Sequence, residues 1–337
     1  MGWILGLLVA ASAVATTQAQ QAPCTVVANV AKELMPYPLQ PLPPGGQYYP
    51  APLTVPERGM APRAFVAHEG LFHHIPIVSV EPDDGPRRIV LVETFGEGWR
   101  GRVRQWEGKA PVPPELTAVL SVARPQDSFA LLAIGGPRVE VPFGSRRETL
   151  QAAIDGLAHP DPNGPDGPGL FDGLLEAASW FGPAQVGDSI LEFGGIRGWR
   201  WDKGKASQLR GALVSRGIRL FSLGGAYQTG GGDDYASGAW ESPFGRLCEQ
   251  TGGDWGTIGY LGRNARDEMW WEWREAAKAL YEEATFAYIL RLPRTGPRVK
   301  IQLTPAASKP GVLLSYPRPL PVCPPPPAAS AEGQKTK

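Results

Sequence analysis

The sequence has no surplus of charge of either sign: 33 basic and 33 acidic side chains balance over 337 residues. A general attraction to nucleic acid or to anionic lipid therefore has no support. Cysteine is scarce, with Cys24, Cys248 and Cys323 the whole set. The odd count leaves at least one thiol free or paired with another molecule. Beyond the N-terminal stretch no apolar run is long enough to cross a bilayer. Neither a Gly-x-Ser-x-Gly elbow nor a Walker loop occurs, so no hydrolase or NTPase motif supports an enzyme.

What the chain does have is a hydrophobic content of 42%, enough for a real core, with 36 prolines, 42 glycines and 11 tryptophans. The first two counts indicate long irregular segments, and tryptophan is enriched at binding surfaces. The length suggests one domain of roughly 200 residues with a smaller accessory unit. Residues 3–15 form a short apolar stretch closed by the small residues at 17–19, the pattern of a signal peptide over 1–19 with a mature start near Gln20. Secretion or a periplasmic location is expected, with no transmembrane segment after cleavage. Gln21, Ala22 and Pro23 ahead of Cys24 do not form a lipobox. Cys24 opens the mature region, Cys323 closes the last ordered one and Cys248 lies in a helical pattern. A Cys24–Cys323 bridge with Cys248 buried is expected; three unpaired thiols are the alternative, because pairing cannot be read from sequence alone.

Residues 35–62 carry nine prolines and read as loop or polyproline. On either side, 25–30 and 64–80 look extended, the latter turning at Glu69-Gly70. This gives an N-terminal β segment over 20–86. From 87 to 292 strands alternate with helices: strands at 89–92, 129–134, 189–193 and 218–223, helices at 115–123, 146–157, 170–181 and 205–216. Ser145 and Glu148 fit a capping box ahead of the second helix. A long helix over 264–284 puts Trp270, Trp273, Ala277, Leu280, Tyr281 and Ala284 on one stripe, the spacing of ordinary packing on a sheet. Residues 286–292 follow as an edge strand. The alternation predicts an α/β fold, a Rossmann-like mostly parallel sheet flanked by helices. Strands at 299–303 and 312–316 lie within a C-terminal segment, 293–323, that is expected to pair with the N-terminal β segment as a small β accessory unit. Residues 324–337 are expected to be disordered.

Residues 87–101, RRIVLVETFGEGWRG, place an apolar strand ahead of a Gly-rich turn. This context resembles the first strand and loop of a von Willebrand factor A domain, where Asp-x-Ser-Gly-Ser holds a Mg²⁺ that captures an acidic group on a partner. DSFALLAI at 127–134, GLFDGLLEA at 169–177, GDSILEFGG at 187–195, RGIRLFSLG and QTGGDW are similar to later elements of that family in order and spacing. With its extended N-terminal segment and trailing strands, the chain resembles the bacterial exported group called VWFA-related. The resemblance implies a metal-site position at Glu93, but the two serines fall on Phe95 and Glu97, the threonine on Pro168 or Gly169, and the third-loop aspartate among Phe193, Gly194 and Gly195. One carboxylate does not hold a hard cation tightly, so a metal-independent relative with no cofactor is expected.

The triplet Gly-Trp-Arg occurs twice, at 98–100 and 198–200, in loops that such a fold would bring to the carboxyl ends of neighbouring strands. Trp99, Arg100, Arg197, Trp199, Arg200 and Trp201 are therefore the candidate ligand-binding residues, an aromatic and guanidinium surface in place of the cation. The competing reading packs these tryptophans under long loops with the arginines solvated. Glu93 and Glu97 are also weighed as paired carboxylates of a divergent envelope hydrolase. Asp161, Asn163, Asp166 and Asp172 resemble a calcium loop only in their spaced oxygens and lack the spacing and terminal glutamate of an EF-hand. His73 and His74, adjacent in a strand, would point to opposite faces. Taken together, the residues suggest an exported, non-catalytic binding or adhesion-type module whose partner is an extracytoplasmic protein, with a purely structural domain as a further alternative.

Overall fold

The structure, a computed structural model, describes residues 24–33, 48–49, 54–71, 73–95, 113–158, 167–194, 201–227, 243–260, 266–321 and 323. The expected signal peptide and the tail at 324–337 lie outside the described residues.

The strands are β1 (Cys24–Glu33), β2 (Tyr48–Tyr49), β3 (Thr54–Pro56), β4 (Phe65–Glu69), β5 (His73–Ile75), β6 (Ser79–Asp83), β7 (Arg88–Thr94), β8 (Ser128–Ile134), β9 (Glu140–Val141), β10 (Ser189–Gly194), β11 (Arg219–Tyr227), β12 (Trp255–Tyr260), β13 (Ala287–Leu292), β14 (Val299–Leu303) and β15 (Val312–Ser315). The helices are α1 (Pro114–Val122), α2 (Arg147–Gly156), α3 (Leu170–Ser179), α4 (Lys203–Arg216), α5 (Pro243–Gln250) and α6 (Arg266–Thr285). The chain is thus mixed α/β, as the alternation of patterns predicts.

The apolar runs of β7, β8, β10 and β11 become strands because both of their faces are covered. They belong to a seven-stranded sheet of order β2-β12-β11-β10-β7-β8-β9. The pairings β7/β8, β7/β10, β10/β11 and β11/β12 are parallel, and the edge pairings with β2 and β9 are antiparallel. Strand alternation sends Ile89, Leu91, Leu191 and Phe193 to one face, under α1, α2 and α6. Val90, Val92, Ile190 and Leu220 go to the other, under α3, α4 and α5. On α6, Trp273, Ala277, Leu280, Tyr281 and Ala284 are all buried against the first face, as their spacing predicts. Trp270, the remaining member of that stripe, lies outside the residues whose side chains are described.

The terminal segments build two further sheets. One is antiparallel, in the order β15-β1-β13-β6 with β3 also on β1, and the other is β14-β4-β5. They share one core that includes Val26, Val30, Phe65, Tyr288, Leu290 and Ile301. The expected union of early and late strands is therefore present: β1 pairs β15, and β4 pairs β14. Cys24 and Cys323 are bridged, with Cα atoms 5.7 Å apart, and Cys248 is free and buried. This bridge closes a separation of 299 residues. Removing it with Cys24→Ser and Cys323→Ser is expected to lower stability by about 2–4 kcal/mol, read as a fall in the urea midpoint at unchanged slope.

Two details depart from the sequence reading. Residues 286–292 were expected to form an edge strand, but β13 has β1 on one side and β6 on the other, within the antiparallel sheet. Its buried Tyr288, Leu290 and Leu292 need cover, and β1 with the terminal strands supplies it. The capping box at Ser145 and Glu148 does not form either. Helix α2 begins one residue later than expected, its N-cap is Arg146 without a side-chain cap, and Ser145 Oγ donates to the Pro142 carbonyl at 2.8 Å. One residue of shift puts both side chains out of capping register.

Candidate functional site

The parallel strands β7, β8 and β10 end together at one rim of the seven-stranded sheet, where the loops of an open α/β sheet meet a ligand. Glu93 lies at the end of β7, on the face covered by α1, and it is 7% exposed. Its partner is Glu115 in the first turn of α1, also buried. Each carboxyl group acts on the other's ionisation. Burial, followed by the charges of Glu115 and Glu192, holds Glu93 well above the usual carboxylate range. Burial likewise pushes Glu115 up to about 7, opposed by its own backbone amide at the helix start. Burial and the neighbouring negative charges thus favour the neutral form of Glu93.

Glu192 belongs to the other face of the sheet. It is fully buried on β10 and accepts a hydrogen bond from Ser222 Oγ of β11. Sequence reading missed both Glu115 and Glu192. A glutamate inside the apolar run SILEFG was the available signal for Glu192. Glu115 carried none, because an acid in a first helical turn is the ordinary complement to the helix dipole.

The loop ends at this rim are joined to one another by backbone and by a ring. Phe95 N donates to the Ile134 carbonyl at 2.8 Å, Gly135 N to Pro168 at 2.9 Å, and Gly167 N to Gly136 at 2.6 Å. The Phe95 ring lies against Gly136: a Cβ there would come within 2.4 Å of its ring carbons. Gly194 has φ 103°, and a Cβ on it would stand 2.3 Å from the Thr94 carbonyl. Glycine is thus required where β10 and β7 finish side by side.

These contacts bear on the metal that the family resemblance implies. Phe95, Pro168 and Gly194 bring no side-chain oxygen to the rim, and Glu93 is turned to Glu115. Glu93 Oε2 and Thr94 Oγ1 are buried without a hydrogen-bond partner among the described residues. Two such oxygens fall well short of the roughly six that a hard cation needs, so the described residues do not fit Mg²⁺. Glu97 lies outside the described residues, as do Trp99, Arg100, Arg197, Trp199 and Arg200. Trp201 is described: half-buried just before α4, it makes an edge-on contact with Phe171 of α3, centroids 5.3 Å apart. Of the spaced oxygens, 161, 163 and 166 lie outside the described residues, and Asp172 accepts from Lys205 Nζ at 2.7 and 2.9 Å. His73 and His74 are both exposed, and His74 lines a shallow groove of about 250 Å³ with Phe65, Ile77 and Val78.

Among the described residues no helix is long and apolar enough to cross a membrane. No family model matches the chain, and no curated protein matches it. Solved structures do. The conserved hypothetical protein BatB from Bacteroides thetaiotaomicron is 15% identical, covering 57% of this chain and 98% of its own, with a TM-score of 0.35. A von Willebrand factor type A protein from Catenulispora acidiphila is 12% identical over 78% of this chain and 51% of its own, TM-score 0.36. Proximal thread matrix protein 1 from the mussel byssus is 13% identical over 66% of this chain and 51% of its own, TM-score 0.38.

Proposed function

We propose that this chain is an exported, non-catalytic binding module with a von Willebrand factor A-like arrangement, recognising an extracytoplasmic protein without a bound Mg²⁺. The observation that carries this reading is the sheet rim. Its strand order places three loop ends together, yet the positions that would ligate a cation hold the Phe95 ring, the Pro168 backbone and Gly194, with Glu93 paired to Glu115. A rim without a cation must recognise its partner by other chemistry. Tryptophan and arginine at 99, 100, 197, 199, 200 and 201 supply stacking area and bidentate donors for it. The Cys24–Cys323 bridge fits an oxidising compartment.

The test has two parts. Melting the mature protein with EDTA, Mg²⁺, Mn²⁺ or Ca²⁺ at millimolar levels is expected to leave Tm within about one degree, because a ligand selective for the native state must raise it. A shift of several degrees with one cation would overturn metal independence. In parallel, Trp99→Ala with Trp199→Ala is expected to weaken retention of an extracytoplasmic partner at least tenfold at unchanged Tm. Loss of stability without selective loss of binding would favour the purely structural reading. The envelope-hydrolase alternative, using Glu93 and Glu97, predicts instead that Glu93→Gln abolishes a turnover that the binding reading does not require.

A further inference from the structure

The sheet β14-β4-β5, away from the rim, brings together two imidazoles that lie on separate strands. His68 of β4 and His74 of β5 are direct partners across the two strands, so both side chains stand on the same face of the sheet. Their ring centroids are 6.5 Å apart, edge-on. Strand alternation puts His73 on the opposite face, where its own partner Glu69 is engaged by Arg294 at 2.7 Å. His68 Nε2 lies 2.9 Å from Gln302 Oε1 of β14. An amide oxygen only accepts, so Nε2 carries the hydrogen and Nδ1 keeps its lone pair. The two ring nitrogens of an imidazole are directed away from each other. With Nε2 turned to β14 on one side of β4, Nδ1 is left for the other side, where β5 carries His74.

We propose that His68 and His74 form a two-imidazole chelate for a divalent transition ion of the Zn²⁺, Ni²⁺ and Cu²⁺ class, with Gln302 as the positioning residue that orients His68. Imidazole nitrogen suits these ions, and a hydrogen bond from the second ring nitrogen to an oxygen is the usual way a ligating histidine is held. A tetrahedral ion about 2.1 Å from each nitrogen brings two ring centroids to roughly 5 Å. The observed 6.5 Å closes to that by side-chain rotation, and His74 is exposed, with room to turn. Among the described residues no group of three histidine, cysteine, aspartate or glutamate side chains is placed to hold an ion. The remaining positions therefore go to water, and the ion is held less tightly than in a four-ligand structural site.

Two like charges oppose the ion. Lys300 stands in the same cross-strand row as His68, and Arg63 lines the groove that His74 also lines. Both are exposed, and salt at physiological strength screens exposed charges over about 8 Å, so they weaken the chelate without closing it. The row of Lys300, His68 and His74 holds no carboxylate. Mg²⁺ and Ca²⁺ need oxygen ligands and find none there, so ion type separates this chelate from any site at the rim. Adjacency had set His73 and His74 aside as a pair, whereas the partner of His74 comes from the preceding strand.

The experiment is calorimetric titration of the mature protein, made without a polyhistidine tag, with Zn²⁺ and with Ni²⁺ at about pH 7.5. One ion per chain is expected, undisplaced by millimolar Mg²⁺ or Ca²⁺. His68→Ala and His74→Ala are each expected to weaken binding at least about tenfold, and Gln302→Leu by roughly tenfold, while His73→Ala leaves it unchanged. Should His68→Ala fail to fold by circular dichroism, His68→Asn takes its place with the same expectation. No binding by the wild type at millimolar ion overturns the chelate, as does undiminished binding in the His68 and His74 variants or an equal loss in His73→Ala. An ion lost in Glu93→Gln but kept in the histidine variants overturns it too, and places the ion at the rim. Undiminished binding by Gln302→Leu overturns the positioning role.

Discussion

Lowering the pH from about 8 to about 5 will raise the Tm of this protein, and Glu93→Gln will reproduce part of that gain at pH 8. The sign follows from the direction of the shifts. Glu93, Glu115, Asp254 and Glu283 all have folded pKa values above their ordinary ones, burial being the first cause in each. Between the ordinary value and the folded one, the native state binds more protons than the unfolded chain, so stability falls as pH rises. Their contribution is complete below about pH 4.5 for the glutamates and about 3.8 for Asp254. It is lost through about 6 for Asp254 and about 7 for Glu115, and for Glu93 and Glu283 as pH rises through folded values well above their ordinary ones. For Glu115 alone, a rise from 4.5 to about 7 corresponds to roughly 3 kcal/mol.

Glutamine at 93 cannot ionise. At pH 8 it is expected to raise Tm by several degrees, at roughly 2–4 °C per kcal/mol for a domain of this size. At pH 5, where Glu93 is already protonated, the two proteins should melt together. Equal shifts at both pH values would mean that the substitution acts through packing and that Glu93 holds no proton. The result bears on the function proposed for the rim. A glutamate kept neutral beside Glu115 is a poor metal ligand, whereas an ionised one would reopen that possibility.

The parts of this architecture that could be read from the sequence are those whose cause is local. The runs at 89–92 and 129–134 are apolar on successive residues because both faces of β7 and β8 are covered, and that pattern is visible without knowing the cover. The pairing of early with late strands was also legible, since an extended segment at each end needs a partner and the cysteines at 24 and 323 mark the same two ends. The strand at 287–292 was assigned its place by order alone. Its actual neighbours, β1 and β6, come from the other end of the chain and leave no mark on its own residues. The buried carboxyls were hidden for the same reason. Glu283 and its hydrogen-bond partner Asn29 are 254 positions apart, and each reads by itself as an unremarkable polar residue in its own element. At the rim, substituted ligand positions could be seen, but the Phe95 ring against Gly136 could not, because a close approach to glycine is a property of two loops together.

Replacing Arg219 with alanine is expected to destabilise the protein by about 3–5 kcal/mol, the usual scale for removing one side of a buried charged hydrogen-bond network. Arg219 is fully buried, with its guanidinium 5.2 Å from the centroid of the Phe221 ring. It donates to the carbonyls of Ala284, at the end of α6, and Phe286, just before β13, and to Ser189 Oγ. Last-turn carbonyls have no partner within a helix, and burial denies them water, so an arginine from the adjoining sheet takes that role. Burial and then the charge of Arg87 pull its pKa down to about 9, which leaves it charged and donating at neutral pH. Alanine would leave both carbonyls unpaired and open a cavity as well. Methionine separates the two effects, because it refills most of the volume without a donor. The methionine variant is expected to recover only the packing share and to remain at least about 2 kcal/mol below wild type by urea denaturation. Wild-type stability in the methionine variant would show that these carbonyls find other partners, and that the turn from α6 into β13 does not depend on the buried charge.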